Sequence, residues 1–128
     1  SSLFMSKIQL IKRTEFGTLK KALFHPLARK ALSEMPDEVK SEIGHLLFKV
    51  QQGKKLGMPY SRPMKTVYQG CYELRVRNED GIYRAFYFLK NEKGIFVFHV
   101  FVKKDQNTRQ EDIEIGKKRL LEMLVIYG

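Results

Sequence analysis

One cysteine in 128 residues, Cys71, leaves no means of building an internal disulfide framework and excludes the small oxidised scaffolds typical of secreted proteins. A lone thiol instead suits a reducing, cytoplasmic location. Long hydrophobic runs are missing too. The longest, 94–102, is interrupted by His99 and falls well short of the roughly 20 residues that a membrane span needs. No signal-peptide pattern opens the chain, so no membrane partner is expected. Metal chemistry is equally poorly provided for. The sequence has no Cys/His zinc spacing, no HExxH, no P-loop and no GxSxG, and its carboxylates do not cluster as a metal site. Neither a metal nor another cofactor is expected. Linkers, repeats and low-complexity tracts are also absent, so 1–128 reads as a single domain, with 43% hydrophobic residues to build its core. The first eighteen residues read as an N-terminal extension without an assigned role, partly expression-derived, with 8–11 as a short strand or an arm.

Acidic residues are the remaining scarcity. Against 24 Lys/Arg stand 14 Asp/Glu, a net charge of +10, and only 5 of those acids precede Cys71. Such an excess favours RNA, DNA or an acidic protein as partner, because cation–phosphate contacts supply most non-specific nucleic-acid affinity. Taken alone, it is equally compatible with a solvated basic surface.

What the chain does have is organised around 70–104. Strand-forming residues fall in three blocks, 71–77, 82–90 and 95–103, separated by Asn78-Glu79-Asp80-Gly81 and Asn91-Glu92-Lys93-Gly94. This is the pattern of a three-stranded antiparallel meander. Centring a hairpin on each turn sets Arg77 opposite Ile82, Arg75 opposite Arg84 and Lys90 opposite Ile95, which carries Arg84 opposite Phe101 and Ile82 opposite Lys103. Side-chain alternation then gives one uncharged face: Tyr72, Leu74, Val76, Tyr83, Ala85, Tyr87, Leu89, Phe96, Phe98, Val100 and Val102. The opposite, open face collects Glu73, Arg75, Arg77, Arg84, Phe86, Phe88, Val97, His99, Phe101 and Lys103. Cross-strand like charges such as Arg75 and Arg84 are unfavourable by up to about 1 kcal/mol. Two readings follow: an anionic ligand sits between them, or Glu73 and other acids neutralise them in a solvated ionic face.

Ahead of the meander, a short strand through Phe24 leads into Pro26 at the first position of a helix, with Leu27, Ala31, Leu32 and Met35 as its apolar stripe. A second helix starts near Pro36, carries Asp37 and Glu38 in its first turn, buries Val39, Ile43, Leu46, Leu47 and Val50, and stops at Gly53. These two helices cover the uncharged face, and the first strand pairs with the sheet edge. His25 reads as a helix-entry residue and His45 as exposed or structural. Segment 53–65 combines Lys54, Lys55, Arg62 and Lys65 with Tyr60 and two prolines. It reads as an irregular loop, either a merely solvated connection or a site for single-stranded nucleic acid, with cations on phosphates and the ring against a base. After the meander, Thr108-Arg109-Gln110-Glu111 has capping-box spacing and opens a helix with Ile113, Leu120, Leu121, Leu124 and Val125 on its apolar side.

The segments Phe24-His25-Pro26, Ser61-Arg62-Pro63-Met64, Glu73-Leu74-Arg75-Val76-Arg77, Gly81-Ile82-Tyr83-Arg84-Ala85-Phe86-Tyr87 and Phe98-His99-Val100-Phe101-Val102-Lys103-Lys104 resemble the signature of phage-derived, HigB-like toxins in the RelE/ParE superfamily. The resemblance spans 23–124. It implies an α+β fold: a small, twisted, mostly antiparallel sheet with two N-terminal helices on one face and a C-terminal helix. It also implies the toxin of a type II toxin–antitoxin system, a metal-independent endoribonuclease that cleaves mRNA on the ribosome and is neutralised by a cognate helix-turn-helix antitoxin. Carried over, the phosphate-binding arginine matches Arg84, the basic residue of the preceding strand matches Arg75, and the pair closing the last strand matches Lys103 and Lys104. Lys104 has the opposite strand parity and joins the others only if the strand ends there. Arg77, Lys54, Lys55, Arg62, Lys65 and Tyr60 complete the RNA-binding set. The chain departs from the pattern at Arg109, where relatives often have proline, and it lacks a clear equivalent of the family's tyrosine or histidine acid/base. Glu73 is the nearest candidate base, weakened in that role by the surrounding cations. His99 reads first as a satisfied residue of the floor and second as a catalyst. A ParE-like DNA gyrase inhibitor and a non-catalytic RNA-binding module remain as alternatives on the same scaffold.

Overall fold

The computed structural model describes residues 19–91, 94–105 and 107–128. The N-terminal extension, with the strand expected at 8–11, lies outside the described residues, as do residues 92, 93 and 106 of the two later turns. In chain order the elements are β1 (Lys21–Phe24), α1 (Pro26–Ser33), α2 (Asp37–Gln51), β2 (Ser61–Pro63), β3 (Cys71–Asn78), β4 (Gly81–Asn91), β5 (Gly94–Lys103) and α3 (Gln110–Tyr127). One sheet forms in the order β1-β5-β4-β3-β2. Its three long strands are the expected meander. β1 joins the edge of β5 in parallel, and β2 joins β3 antiparallel. The 53–65 segment is therefore not irregular throughout, because Ser61–Pro63 is a strand. Pro63 is tolerated there because an outermost strand has a side that needs no amide donor.

The first hairpin has the expected register, with Arg77 opposite Ile82 and Arg75 opposite Arg84. Gly81 holds φ at 141°, and a side chain there would meet the Lys103 carbonyl oxygen at 2.5 Å, so only glycine fits this turn. In the second hairpin Arg84 faces Phe101 and Ile82 faces Lys103, as expected, but Leu89 rather than Lys90 lies opposite Ile95. The register slips after Phe86 and returns between Leu89 and Asn91, leaving Phe98 and then Lys90 as extra residues. Between the two slips the faces of β5 exchange. Ile95 and Val97 lie with Leu74, Ala85, Tyr87 and Val100 in the core beneath α1 and α2. Phe96 and Phe98, expected in that core, lie on the opposite face.

α1 and α2 cover the first face. α2 buries Val39, Ile43, Leu46, Leu47 and Val50 as expected and ends at Gln51, two residues before Gly53, whose φ is 87°. α1 has Pro26 at its start, but its fully buried contact is Ala28, while Leu27 is half exposed. The His25 imidazole caps α1: its Nδ1 accepts from the Leu27 amide at 3.1 Å, and Nε2 lies 3.0 Å from Glu122 of α3. The second face is only partly open. α3 lays Ile113, Leu120 and Met123 over Phe86, Phe96 and Phe98. Gly116 allows this approach, since a Cβ there would sit 2.9 Å from the Phe86 ring. The apolar side of α3 is thus 113, 116, 120 and 123, whereas Leu121 and Val125, expected on it, point to solvent.

Candidate RNA-binding site

Strand pairing sets the site out in rows. Arg62, Glu73, Phe86 and His99 lie side by side across β2, β3, β4 and β5, followed by Arg75, Arg84 and Phe101, then by Arg77, Ile82 and Lys103. Glu73 is the only acid on the inner two rows, and the arginines close on it. Its Oε1 accepts from Arg62 Nε and Arg75 Nη1, each at 2.9 Å. Its Oε2 accepts the Thr108 hydroxyl at 2.7 Å and lies 3.4 Å from Arg84 Nη1. Thr108 Oγ1 in turn accepts from Arg62 Nη2 at 2.9 Å and Arg84 Nη1 at 2.8 Å. Arg84 also donates to the Asp105 carbonyl oxygen at 2.6 Å, while its Nε has no partner among the described residues.

The like-charge pair Arg75–Arg84 therefore has an internal counterion. The surroundings differ from those expected of an open face, because Glu73 and Arg84 have no exposed surface and Arg75 is buried. Burial pushes the Arg84 guanidinium below its ordinary value, an effect that Glu73 opposes; a guanidinium is too strong a base to lose its proton in a protein and stays charged. Three guanidinium groups thus converge on one buried carboxylate, with the Arg62 side chain still about a third exposed. Lys103 is also buried but paired, its Nζ 2.9 Å from Asp105 Oδ1. That lysine's hydrogen bond is the main reason the Asp105 carboxyl lies below its usual range.

The accessible side of the cluster is a groove beside Tyr60. A cavity of about 460 Å³ is lined by Met58, Pro59, Tyr60, Arg75, Arg77 and Ile82. A second, of about 380 Å³, shares Tyr60, Arg75 and Arg77 and adds Glu38 and Glu42 from α2. Tyr60 is half exposed and fixed by its carbonyl, which accepts the Arg75 amide at 2.8 Å. Arg77 is exposed and has no ion-pair partner among the described residues. The strand ends at Lys103, and so Lys104 does line one cavity of about 380 Å³ with it, together with Asp105 and Arg109.

Other expected residues are not gathered here. Lys54 and Lys55 line a separate pocket with Tyr72, Tyr87 and Leu89 on the helix-covered face. Lys65 is exposed after β2 and lines neither groove beside Tyr60. Glu73, expected as the nearest base, is enclosed with both oxygens occupied. His99 is a satisfied floor residue: Nε2 is 2.9 Å from Asp112 Oδ1, Nδ1 is 3.2 Å from Arg119 Nη1, and the ring stacks on Phe101. Burial holds its pKa below the ordinary value, with Arg119 adding to the effect and Asp112 opposing it. It is therefore neutral, and the arginine selects the tautomer with Nδ1 as acceptor and Nε2–H as donor to Asp112.

Thr108 and Asp105 were missed as site residues. The capping-box spacing gave Thr108 a different task, yet α3 is capped at Arg109 with no side-chain hydrogen bond, and the threonine hydroxyl serves Glu73 instead. Among the described residues no group of three or more His, Cys, Asp or Glu could hold a metal ion, and no helix is long and apolar enough to cross a membrane.

The family model described as phage-derived protein Gp49-like matches residues 30–121. Among solved structures, the chain is similar to the free state of the E. coli toxin RelE carrying two arginine-to-alanine substitutions. The TM-score is 0.55 at 20% sequence identity, covering 82% of this chain and 98% of that one, a likeness of fold. No curated protein matches.

Proposed function

The chain belongs to the phage-derived Gp49-like family, and from that premise we propose that it is the toxin of a type II toxin–antitoxin pair, a HigB-like endoribonuclease that cuts mRNA on the ribosome in the cytoplasm. The observation that carries this reading is the gathering of three guanidinium groups, Arg62, Arg75 and Arg84, on the buried Glu73, beside a groove where Arg77 and Tyr60 are exposed. A phosphodiester complements the charge, and a base stacks on the ring.

In the reaction the RNA 2′-hydroxyl gives up its proton as its oxygen attacks the adjacent phosphorus, the P–O5′ bond breaks, the departing O5′ takes a proton from water, and a 2′,3′-cyclic phosphate and a 5′-hydroxyl result. Charge grows on the phosphoryl oxygens, where fixed guanidinium groups lower the barrier without reorganising. Arg77 and the exposed edge of Arg75 bind the phosphate. Arg84 and Glu73 act as positioning residues, since neither reaches solvent. Lys103 and Lys104 extend the cationic track. The carboxylates lining the groove, Glu38 and Glu42, are the candidates for accepting the 2′-hydroxyl proton.

The test is to induce the protein, map 5′-hydroxyl ends within ribosome-bound codons, and assay DNA supercoiling in parallel. Cuts that disappear in a folded Arg77→Ala variant support the reading. Altered supercoiling without cuts would favour gyrase inhibition, and RNA binding without either would favour the non-catalytic module. Cutting is expected to survive removal of any transition metal by chelation, with magnesium kept for the ribosome.

A further inference from the structure

Lys54 and Lys55 lie on the other side of the sheet from the arginines, beside an apolar opening. Its cavity of about 310 Å³ lies between the C-terminal end of α2 and the helix-covered face of the sheet. The walls are Val50, Leu56, Leu89, Tyr72 and Tyr87. Lys20, Lys54 and Lys55 stand around it, and among the described residues none of them has an ion-pair partner and no carboxylate lines the cavity. The two tyrosine rings stack on each other, with centroids 5.5 Å apart, and the Tyr87 hydroxyl is held by Ser61 at 2.8 Å.

We propose that this pocket is a docking site for an acidic peptide segment of a protein partner, which inserts one apolar side chain between Leu56, Leu89 and the tyrosines while its carboxylates meet the three lysines. The volume is at the low end of the roughly 300–1,000 Å³ of ligand pockets, enough for a side chain and little more. Nucleic acid fits less well. The Tyr72–Tyr87 stack leaves Tyr87 3% exposed, so its ring is not a platform for a base. The rim also carries lysines, which are compact point charges, rather than the bidentate arginine forks suited to phosphate. The assignment stands whether or not the chain cleaves RNA.

The experiment uses the full chain and a labelled, N-acetylated peptide with one leucine flanked on each side by glutamates, read by fluorescence anisotropy and amide NMR. Saturable binding is expected, with shifts centred on Gly53, Leu56 and Leu89. Replacing the peptide's leucine by serine should weaken binding about tenfold or more, since burial of that side chain is lost. The exposed double change Lys54→Glu with Lys55→Glu should weaken it at least as much while leaving the unfolding midpoint unchanged. Absence of saturation by about 1 mM, a free energy of only ~4 kcal/mol, would overturn the proposal. Equal binding of the serine peptide would overturn it as well, reducing the site to charge attraction. So would displacement of the peptide by a short oligouridylate that produces the same shifts, which would return the pocket to RNA.

Discussion

Glu73 shows how one residue can be essential to a site without touching what the site binds. Both its oxygens are engaged and it has no exposed surface, so removing its charge leaves three guanidinium groups repelling one another in the interior. Breaking a buried ion cluster by deleting one member costs about 3–5 kcal/mol. Glu73→Ala is expected to lose stability in that range, measured by urea unfolding, and Arg84→Ala to lose less but still measurably, since Glu73 keeps Arg62 and Arg75 while a fully buried side chain is removed. This reverses what an exposed Arg84 would imply, since a surface arginine is removed almost without cost. His99 carries a different prediction. Its folded pKa lies below the ordinary 6.5 because of burial, so between that lowered value and 6.5 the unfolded chain binds the extra proton. Stability is therefore complete above pH 6.5 and falls as pH drops toward the folded value. A His99→Gln variant should flatten the unfolding midpoint between about pH 6.5 and 5, above the range where carboxylates titrate; an unchanged slope would show that His99 is not the group responsible.

At the level of elements, α3 depends on one close approach. At Gly116, alanine gains about 1 kcal/mol of helix propensity, but its methyl would have to displace the Phe86 ring, which has no exposed surface. Overpacking of this kind costs about 1–3 kcal/mol, so Gly116→Ala should be neutral to destabilising by roughly 2 kcal/mol in thermal or urea unfolding, where an exposed glycine such as Gly44 would stabilise. The elements differ in how well the sequence announces them. The first hairpin was legible because Gly81 and the alternating Arg75, Arg77 and Arg84 mark both turn and face. The slip in β5 was not, because residues 95–98 read Ile-Phe-Val-Phe, and a run apolar on both faces carries no polar marker to show which residue has changed sides. β2 has only three residues and pairs through its backbone, which side-chain pattern does not report. Thr108 reaches Glu73 across 35 positions, and no local motif encodes that. Local capping chemistry suggested a different and incorrect role. Leu121 and Val125 were misplaced for a related reason: α3 has more apolar residues than its buried stripe uses, so composition alone cannot select the stripe.

For the whole molecule, the net charge of +10 includes an arginine cluster on one face of the sheet and a lysine-rimmed pocket on the other. RNA affinity should fall with salt, since each phosphate neutralised on a single strand contributes about −0.7 to the slope of log K against log salt. With Arg75, Arg77 and Lys104 engaged, a slope near −2 is expected in filter-binding titrations, and loss of Arg77 should make it shallower by roughly one contact. The proposed antitoxin complex should respond differently, forming faster at low salt yet persisting when salt is raised, because apolar contacts hold a complex that charge only helps to assemble. A pull-down over rising salt separates the two behaviours. The sheet itself bears on what happens when the protein is left alone. Among the described residues its long strands are flanked by two outer ones of four and three residues, the latter ending in a proline that cannot donate to a ladder. A chain adding itself strand by strand would find only short templates, the uncovered ends of β5 and β3 among them, so the partner-free protein, concentrated at low salt where like charges also repel, should convert only slowly to thioflavin-positive fibrils.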